Sequence, residues 1–146
     1  MTNRAVRVAV CALTCLASAC DSTTEPIPLA AHRAQWEAQN LQDYNYSGRM
    51  SSFWHDTGEV SVTVTADEVS SVRLVSTGEP QDPEDWKTIP RLFDQIEQLS
   101  QDRTLRVNVA FDPTLGYPTN MFVGCRGEVL DCGLTLVISD LVPDSP

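Results

Sequence analysis

The sequence predicts a single small α+β domain, in which an antiparallel sheet of about six strands carries two helices. Two stretches place apolar residues at helical spacing, and several others alternate apolar and polar residues as half-buried strands do. The predicted elements follow the order α-β-β-β-α-β-β-β with short connections. Strands grouped between helices in this way favour antiparallel pairing, with the helices on one face of the sheet.

The first half of the domain contains one predicted helix and three predicted strands. The helix runs from near Pro28 to Gln39, where an alanine-rich stretch places Leu29 and Trp36 on one face. The segment 44–50 alternates weakly. In the segment 60–77, valines alternate with serine and threonine before a turn, and Val72 and Leu74 carry the alternation after it, which predicts a hairpin.

The second half begins with an acidic, proline-bearing loop, and then repeats the pattern of one helix and three strands. Thr88 is a favourable N-cap, and Pro90 is tolerated in the first turn. The apolar stripe of this helix consists of Ile89, Leu92, Phe93, Ile96 and Leu99. Strands are then predicted at 105–111, 119–124 and 133–141.

The first 28 residues have the character of an export signal and a tether. Arg4 and Arg7 precede an apolar run that is too short to span a membrane, and the run ends in Leu16-Ala17-Ser18-Ala19-Cys20. This ending resembles the lipobox of bacterial lipoproteins. The sequence therefore predicts a signal peptide at 1–19, lipid attachment at Cys20 (acyl chains such as palmitate), a tether at 20–28 and one domain at 29–146. The alternative is an ordinary secretory signal that is cut after Ala19.

The charge of the chain narrows the possible partners. The formal net charge of −10 becomes −12 once Arg4 and Arg7 leave with the signal. A surface this acidic repels phosphate backbones, so nucleic acid is not an expected partner. It also gives no electrostatic attraction to anionic lipids, so we expect membrane contact to come from the lipid anchor.

Two of the five cysteines remain for the domain, because Cys11 and Cys15 leave with the signal and Cys20 carries lipid. Cys125 and Cys132 are an even pair in a compartment where disulfides persist, and six residues separate them. The spacing favours a structural disulfide across a hairpin. A zinc site is the less favoured alternative, since two thiols without nearby histidines make half of a zinc shell.

Catalytic and metal motifs are weak in this sequence, which contains no nucleophile elbow, zinc-protease helix or phosphate-binding glycine loop. His32 lies among charged residues of the first helix. The segment 54–59 offers His55, Asp56 and Glu59 as metal ligands, but a solvated loop is the favoured interpretation. The acidic segment 82–85 lacks the ligand pattern of a calcium loop. We therefore expect no enzyme activity, no catalytic residue, no bound metal and no cofactor.

The segment Asp112 to Pro118 is the candidate binding loop. Asp112 can bond its own backbone and Gly116 supplies positive φ, so turn chemistry explains much of this segment. Tyr117, between Gly116 and Pro118, either caps the core or projects as a contact residue. Trp54 and Trp86, both in predicted loops, are further candidates for exposed contact residues.

Four stretches of the sequence together resemble a known family. They are the signal that ends in Cys20, Trp36 followed by Leu41-Gln42-Asp43-Tyr44-Asn45-Tyr46, Thr88-Ile89-Pro90-Arg91-Leu92-Phe93-Asp94, and Phe111-Asp112-Pro113-Thr114-Leu115-Gly116-Tyr117-Pro118-Thr119. On these stretches the chain is similar to the domain of unknown function 6174, which is found in many bacterial lipoproteins. The chain departs from the family pattern at 50–53, where a close cysteine pair is replaced by Met50-Ser51-Ser52-Phe53, and at Glu68, where glycine is common.

The resemblance implies an envelope lipoprotein domain and assigns no chemistry. We expect a non-catalytic binding or interaction module that is held on the membrane by lipid and faces the periplasm or the cell exterior. An inhibitor or accessory subunit of an envelope enzyme or assembly machine is the alternative, with a protein partner in the envelope. A hydrolytic enzyme is the least favoured interpretation.

Overall fold

A computed structural model describes residues 28–127 and 132–144. The predicted signal, Cys20 and the tether before Pro28 lie outside these residues. Two α-helices, α1 (Leu29–Glu37) and α2 (Ile89–Gln101), accompany six strands and a short 3-10 helix at Pro83–Asp85. The strands are β1 (Tyr44–Ser52), β2 (Asp56–Thr65), β3 (Glu68–Leu74), β4 (Leu105–Phe111), β5 (Pro118–Cys125) and β6 (Gly133–Pro143).

The predicted α+β class is wrong, because the domain is mainly β. The two α-helices have only 9 and 13 residues, whereas the six strands, of 7 to 11 residues each, form one continuous antiparallel sheet. The predicted number and order of elements are confirmed. The domain contains more strand than predicted, because β2 starts at Asp56, four residues before the alternating valines, and β6 continues to Pro143.

The sheet consists of two three-stranded meanders joined along their first and last strands. Its order is β3-β2-β1-β6-β5-β4, so β1 and β6 pair at the centre although about ninety residues separate them in the chain. The turn of 53–55 and the Cys125–Cys132 turn lie at one end, called here the tip end. The other end, called the α1 end, holds the β2–β3 turn, the β4–β5 loop and helix α1.

The core lies between one face of the sheet and the apolar stripe of α2. The stripe residues Ile89, Leu92, Phe93 and Ile96 are buried, whereas Leu99 is only partly buried. Thr88 occupies the predicted N-cap position. The inward-facing residues of the two central hairpins complete the core: Tyr44, Tyr46, Val60, Val62, Val64, Met121, Leu136 and Ile138. No helix within the described residues is long and apolar enough to cross a membrane.

The structure supports the predicted disulfide. Cys125 at the end of β5 is bonded to Cys132, which precedes β6, and their Cα atoms are 5.5 Å apart. The backbone N–H of Cys125 also donates to the carbonyl of Cys132 at 3.3 Å. The bond therefore closes the β5–β6 hairpin at the tip end of the sheet.

Reduction of this disulfide is expected to lower the free energy of unfolding by about 2–3 kcal/mol, since a short loop loses its entropic constraint in the unfolded chain. Urea unfolding of the chain with and without reductant measures the difference. A Cys125→Ser/Cys132→Ser variant is the control, and its unfolding midpoint should not respond to reductant. Equal midpoints for the oxidised and reduced wild-type chain would contradict the prediction.

Candidate functional site

The loop of 112–118 is a compact turn that is closed by hydrogen bonds to Asp112. The Asp112 carboxylate accepts hydrogen bonds from the backbone N–H of Thr114 at 2.9 Å and of Leu115 at 2.6 Å. The Gly116 N–H donates to the Asp112 carbonyl at 3.0 Å, and Gly116 adopts a φ of +82°. The Asx geometry and the positive φ expected from the sequence are both present.

The same loop seats helix α1 at one end of the sheet. Gln35 donates through Nε2 to the carbonyls of Pro113 at 2.8 Å and Thr114 at 2.9 Å. Tyr117 is buried against Trp36 in an edge-to-face contact with ring centroids 6.4 Å apart. Of the two roles left open for Tyr117, the structure shows that it caps the core. These contacts give the loop a structural role, which is to seat α1 on the sheet.

The two candidate tryptophans have opposite environments. Trp86 is 7% exposed, so the expectation that it is an exposed contact residue is wrong. The Cζ3 edge of its ring lies against β1 at Gly48, where a Cβ atom would overlap it. Trp54, in contrast, is 79% exposed at the β1–β2 turn.

The segment that carries Trp86 is pinned to β1 by two tyrosine hydroxyls. Tyr46 donates to the carbonyl of Lys87 at 2.8 Å, and Tyr44 accepts from the N–H of Ile89 at 2.8 Å. Burial raises the pKa of Tyr44 to about 12 and raises the pKa of Tyr46 above its ordinary value. Both hydroxyls therefore stay protonated and able to hydrogen-bond across the physiological range.

The β1–β2 turn presents an aromatic pair to solvent. Phe53 is 66% exposed, and its ring contacts the Trp54 ring edge-to-face with centroids 4.6 Å apart. Arg49 and Asp56 form a bidentate salt bridge across the base of the turn, and its hydrogen bonds lower the pKa of Asp56 to about 2. The salt bridge therefore persists at neutral pH and links β1 to β2 at the base of the turn.

A groove lies beside this pair on the face of the sheet that the helices leave open. Its residues are Ser51, Ser52, Phe53, Phe122, Cys132, Gly133 and Thr135, and we call it the tip groove. Phe122 lies over Gly124 and Gly133, which face each other across β5 and β6. Because neither glycine has a side chain, the Phe122 ring rests on the strand backbone. The ring remains partly exposed to solvent. The groove has a volume of about 330 Å³.

The histidines and the acidic loop do not converge on one place. His32 is buried and stacks on Phe111 with ring centroids 4.1 Å apart, at the α1 end. His55 is exposed at the tip end. Asp82 accepts a hydrogen bond from the Glu84 N–H at 2.9 Å and so caps the 3-10 helix. Within 28–127 and 132–144, no three His, Cys, Asp or Glu side chains are close enough to hold a metal ion.

Comparison with known proteins identifies the chain at family level. Residues 28–143 match a family that is described as a family of unknown function (DUF6174). The chain belongs to DUF6174. The match covers the described domain up to Pro143 and includes three of the four stretches on which the resemblance rests. The fourth stretch, the signal, precedes it. No curated protein matches the chain.

Some prominent features of this DUF6174 domain were not singled out from the sequence. Phe53 had no distinguishing local signal, because a phenylalanine in or beside a strand is usually buried. A local signal did exist for Phe122, since Gly124 and Gly133 interrupt two strands and such glycines often mark a close approach. Lys87, the single lysine of the chain, lines a cleft beside Trp86. This cleft forms only where distant segments of the chain meet, so no local pattern could indicate it.

Proposed function

We propose that this DUF6174 chain is a lipoprotein of the bacterial cell envelope, and that its domain is a non-catalytic module that binds a protein through the tip groove. The anchor is the acylated Cys20, after removal of 1–19. The observation that carries the binding proposal is the exposed pair Phe53 and Trp54 beside Phe122. Aromatic side chains that are exposed together on a rigid turn are typical anchors of protein interfaces.

The position of the tip groove relative to the anchor favours a protein partner over the membrane. Pro28 lies eight positions after Cys20 in the chain, so even a fully extended tether spans only about 27 Å. The tether leads into α1, and the nine residues of β1 place the tip about 30 Å from the α1 end. The tether therefore joins the domain at the end opposite the tip groove, which favours access of an envelope protein that inserts an apolar side chain between Phe53 and Phe122.

The positions of the histidines favour binding over catalysis. His32 and His55 lie at opposite ends of the sheet, so they cannot act in one site. His32 packs against Phe111 as a core residue, and His55 lies in the solvated turn that carries the aromatic pair.

Photo-cross-linking from position 54 in living cells tests the binding site. A photoreactive phenylalanine in place of Trp54 should give one dominant adduct with an envelope protein, and the same probe at Val142 should not. Val142 is the matched control because it is 58% exposed but lies at the α1 end. A Phe53→Ser substitution should reduce the adduct about tenfold, as expected for the loss of an aromatic anchor.

Two results would overturn the binding proposal: equal adducts from both positions, or adducts with phospholipid alone. The anchor is tested separately by the intact mass of the membrane form. Acyl groups on Cys20 are expected, and an unmodified soluble chain would contradict the lipoprotein proposal. If the partner is an envelope enzyme whose rate changes on binding, the module is an accessory subunit or inhibitor.

A further inference from the structure

A second concave site lies on the helix-covered face of the sheet, apart from the tip groove. It is a cleft of about 110 Å³ between α2, the segment around Trp86 and strands β1, β6 and β5. Its floor is a cross-strand row, in which Met50 on β1 and Met121 on β5 both face Leu136 on β6. Trp86 forms one wall, and Leu92 lines the cleft from α2. The interior is therefore apolar.

The volume of the cleft limits the group that it can hold. An apolar cavity of about 150 Å³ is known to hold benzene, so a cavity of 110 Å³ holds an aliphatic group of about four carbons. Two thioether side chains in the floor favour such a group, because methionine adapts its shape to flexible aliphatic chains.

The mouth of the cleft carries both signs of charge. Asp85 and Lys87 flank Trp86 in sequence and line the cleft, and Gln95 joins them from α2. The salt bridges among the described residues use Arg33 and Arg49, so neither Asp85 nor Lys87 is paired in that part of the chain. A carboxylate and an ammonium group beside an apolar interior complement a small molecule that carries both opposite charges next to an aliphatic group.

We propose that this cleft binds a free α-amino acid with an aliphatic side chain of the size of leucine. The side chain enters the cleft over Met50 and Met121. Lys87 and Gln95 donate to the ligand carboxylate, and Asp85 accepts from its ammonium group. The inference goes beyond the proposed protein-binding function and does not depend on it, because it uses neither the tip groove nor the anchor.

Methyl NMR of the full chain in detergent micelles tests the proposal directly. The chain has three methionines, and two of them, Met50 and Met121, line the cleft, so labelling of the methionine methyl groups reports on the site. Leucine should shift both signals in a saturable way. Isocaproate lacks the ammonium group and leucinamide lacks the carboxylate, and each should bind at least about tenfold more weakly. Glycine, which has no side chain, should shift neither signal.

Charge variants assign the two ends of the ligand. In Lys87→Met, leucine should bind no better than leucinamide, and in Asp85→Asn it should bind no better than isocaproate. Arg91→Met and Glu84→Gln are the matched controls, since they remove the same charges from neighbouring residues that do not line the cleft. Both controls should bind leucine as the wild type does.

Three outcomes would overturn the proposal. The first is that leucine leaves both methyl signals unmoved, and the second is that isocaproate binds as tightly as leucine. The third is that the controls lose as much affinity as the Lys87 and Asp85 variants. None of these outcomes bears on cross-linking from position 54, so the two proposals fail independently.

Discussion

Replacement of Gly116 by alanine is expected to lower the free energy of unfolding by about 3 kcal/mol, which combines a backbone penalty with overpacking. Gly116 has a φ of +82°, a conformation that disfavours residues with a Cβ atom. The added Cβ would also lie 2.6 Å from the His32 carbonyl oxygen in α1 and 3.0 Å from the Gln35 Cβ. Neither neighbour can withdraw unless the helix shifts away from the loop.

Gly78→Ala is the matched control for this prediction. Gly78 has a similar φ of +72°, but a Cβ there meets nothing within 4 Å. Alanine at Gly78 should therefore cost only the backbone penalty, about 1 kcal/mol. Urea unfolding of both variants measures the difference. If the two substitutions cost the same, the close contact between the loop and α1 is not a determinant of stability.

Gly48→Ala is expected to be comparably severe, with a loss of about 2–4 kcal/mol, because it displaces a large buried side chain. The Trp86 ring occupies the space into which a Cβ on β1 would project. The hydrogen bonds of Tyr46 and Tyr44 fix the backbone that follows Trp86, so the overlap can be relieved only if the ring leaves its packed position on β1. Urea unfolding measures the loss.

A second variant separates the clash from other effects of alanine at position 48. In a Trp86→Leu background the steric conflict is gone, and alanine should then be neutral or stabilise by about 0.5–1 kcal/mol, since glycine is unfavourable inside a strand. This reversal of sign is specific to the Gly48–Trp86 contact. A cost that persists unchanged in the double variant would show that Trp86 is not its cause.

The contrast between Gly116 and Gly48 shows where reasoning from the sequence succeeded and where it failed. The role of Gly116 was predictable, because a turn that requires positive φ is encoded by neighbours in the chain, here Asp112 and Pro113. The role of Gly48 was not, because its partner Trp86 lies 38 residues away. Trp86 was accordingly predicted to be exposed on a loop, and it is instead buried.

The sequence by itself determined the number and order of the elements, the N-cap position of Thr88, the buried stripe of α2 and the Cys125–Cys132 pair. These features depend on periodicity or on spacing within about a dozen residues, and such local patterns survive in any arrangement of the strands. Family membership was also recognisable, because short motifs carry it.

Only the tertiary structure decided the strand order, the mainly-β class and the two candidate sites. The pairing of β1 with β6 joins segments about ninety residues apart, and no local pattern specifies that these two strands become neighbours. That pairing brings Ser51 and Phe53 beside Gly133 and Phe122, and Met50 beside Leu136 and Met121. The tip groove and the cleft therefore depend on the register between strands that are distant in sequence. That register is set when the core of the whole domain packs together.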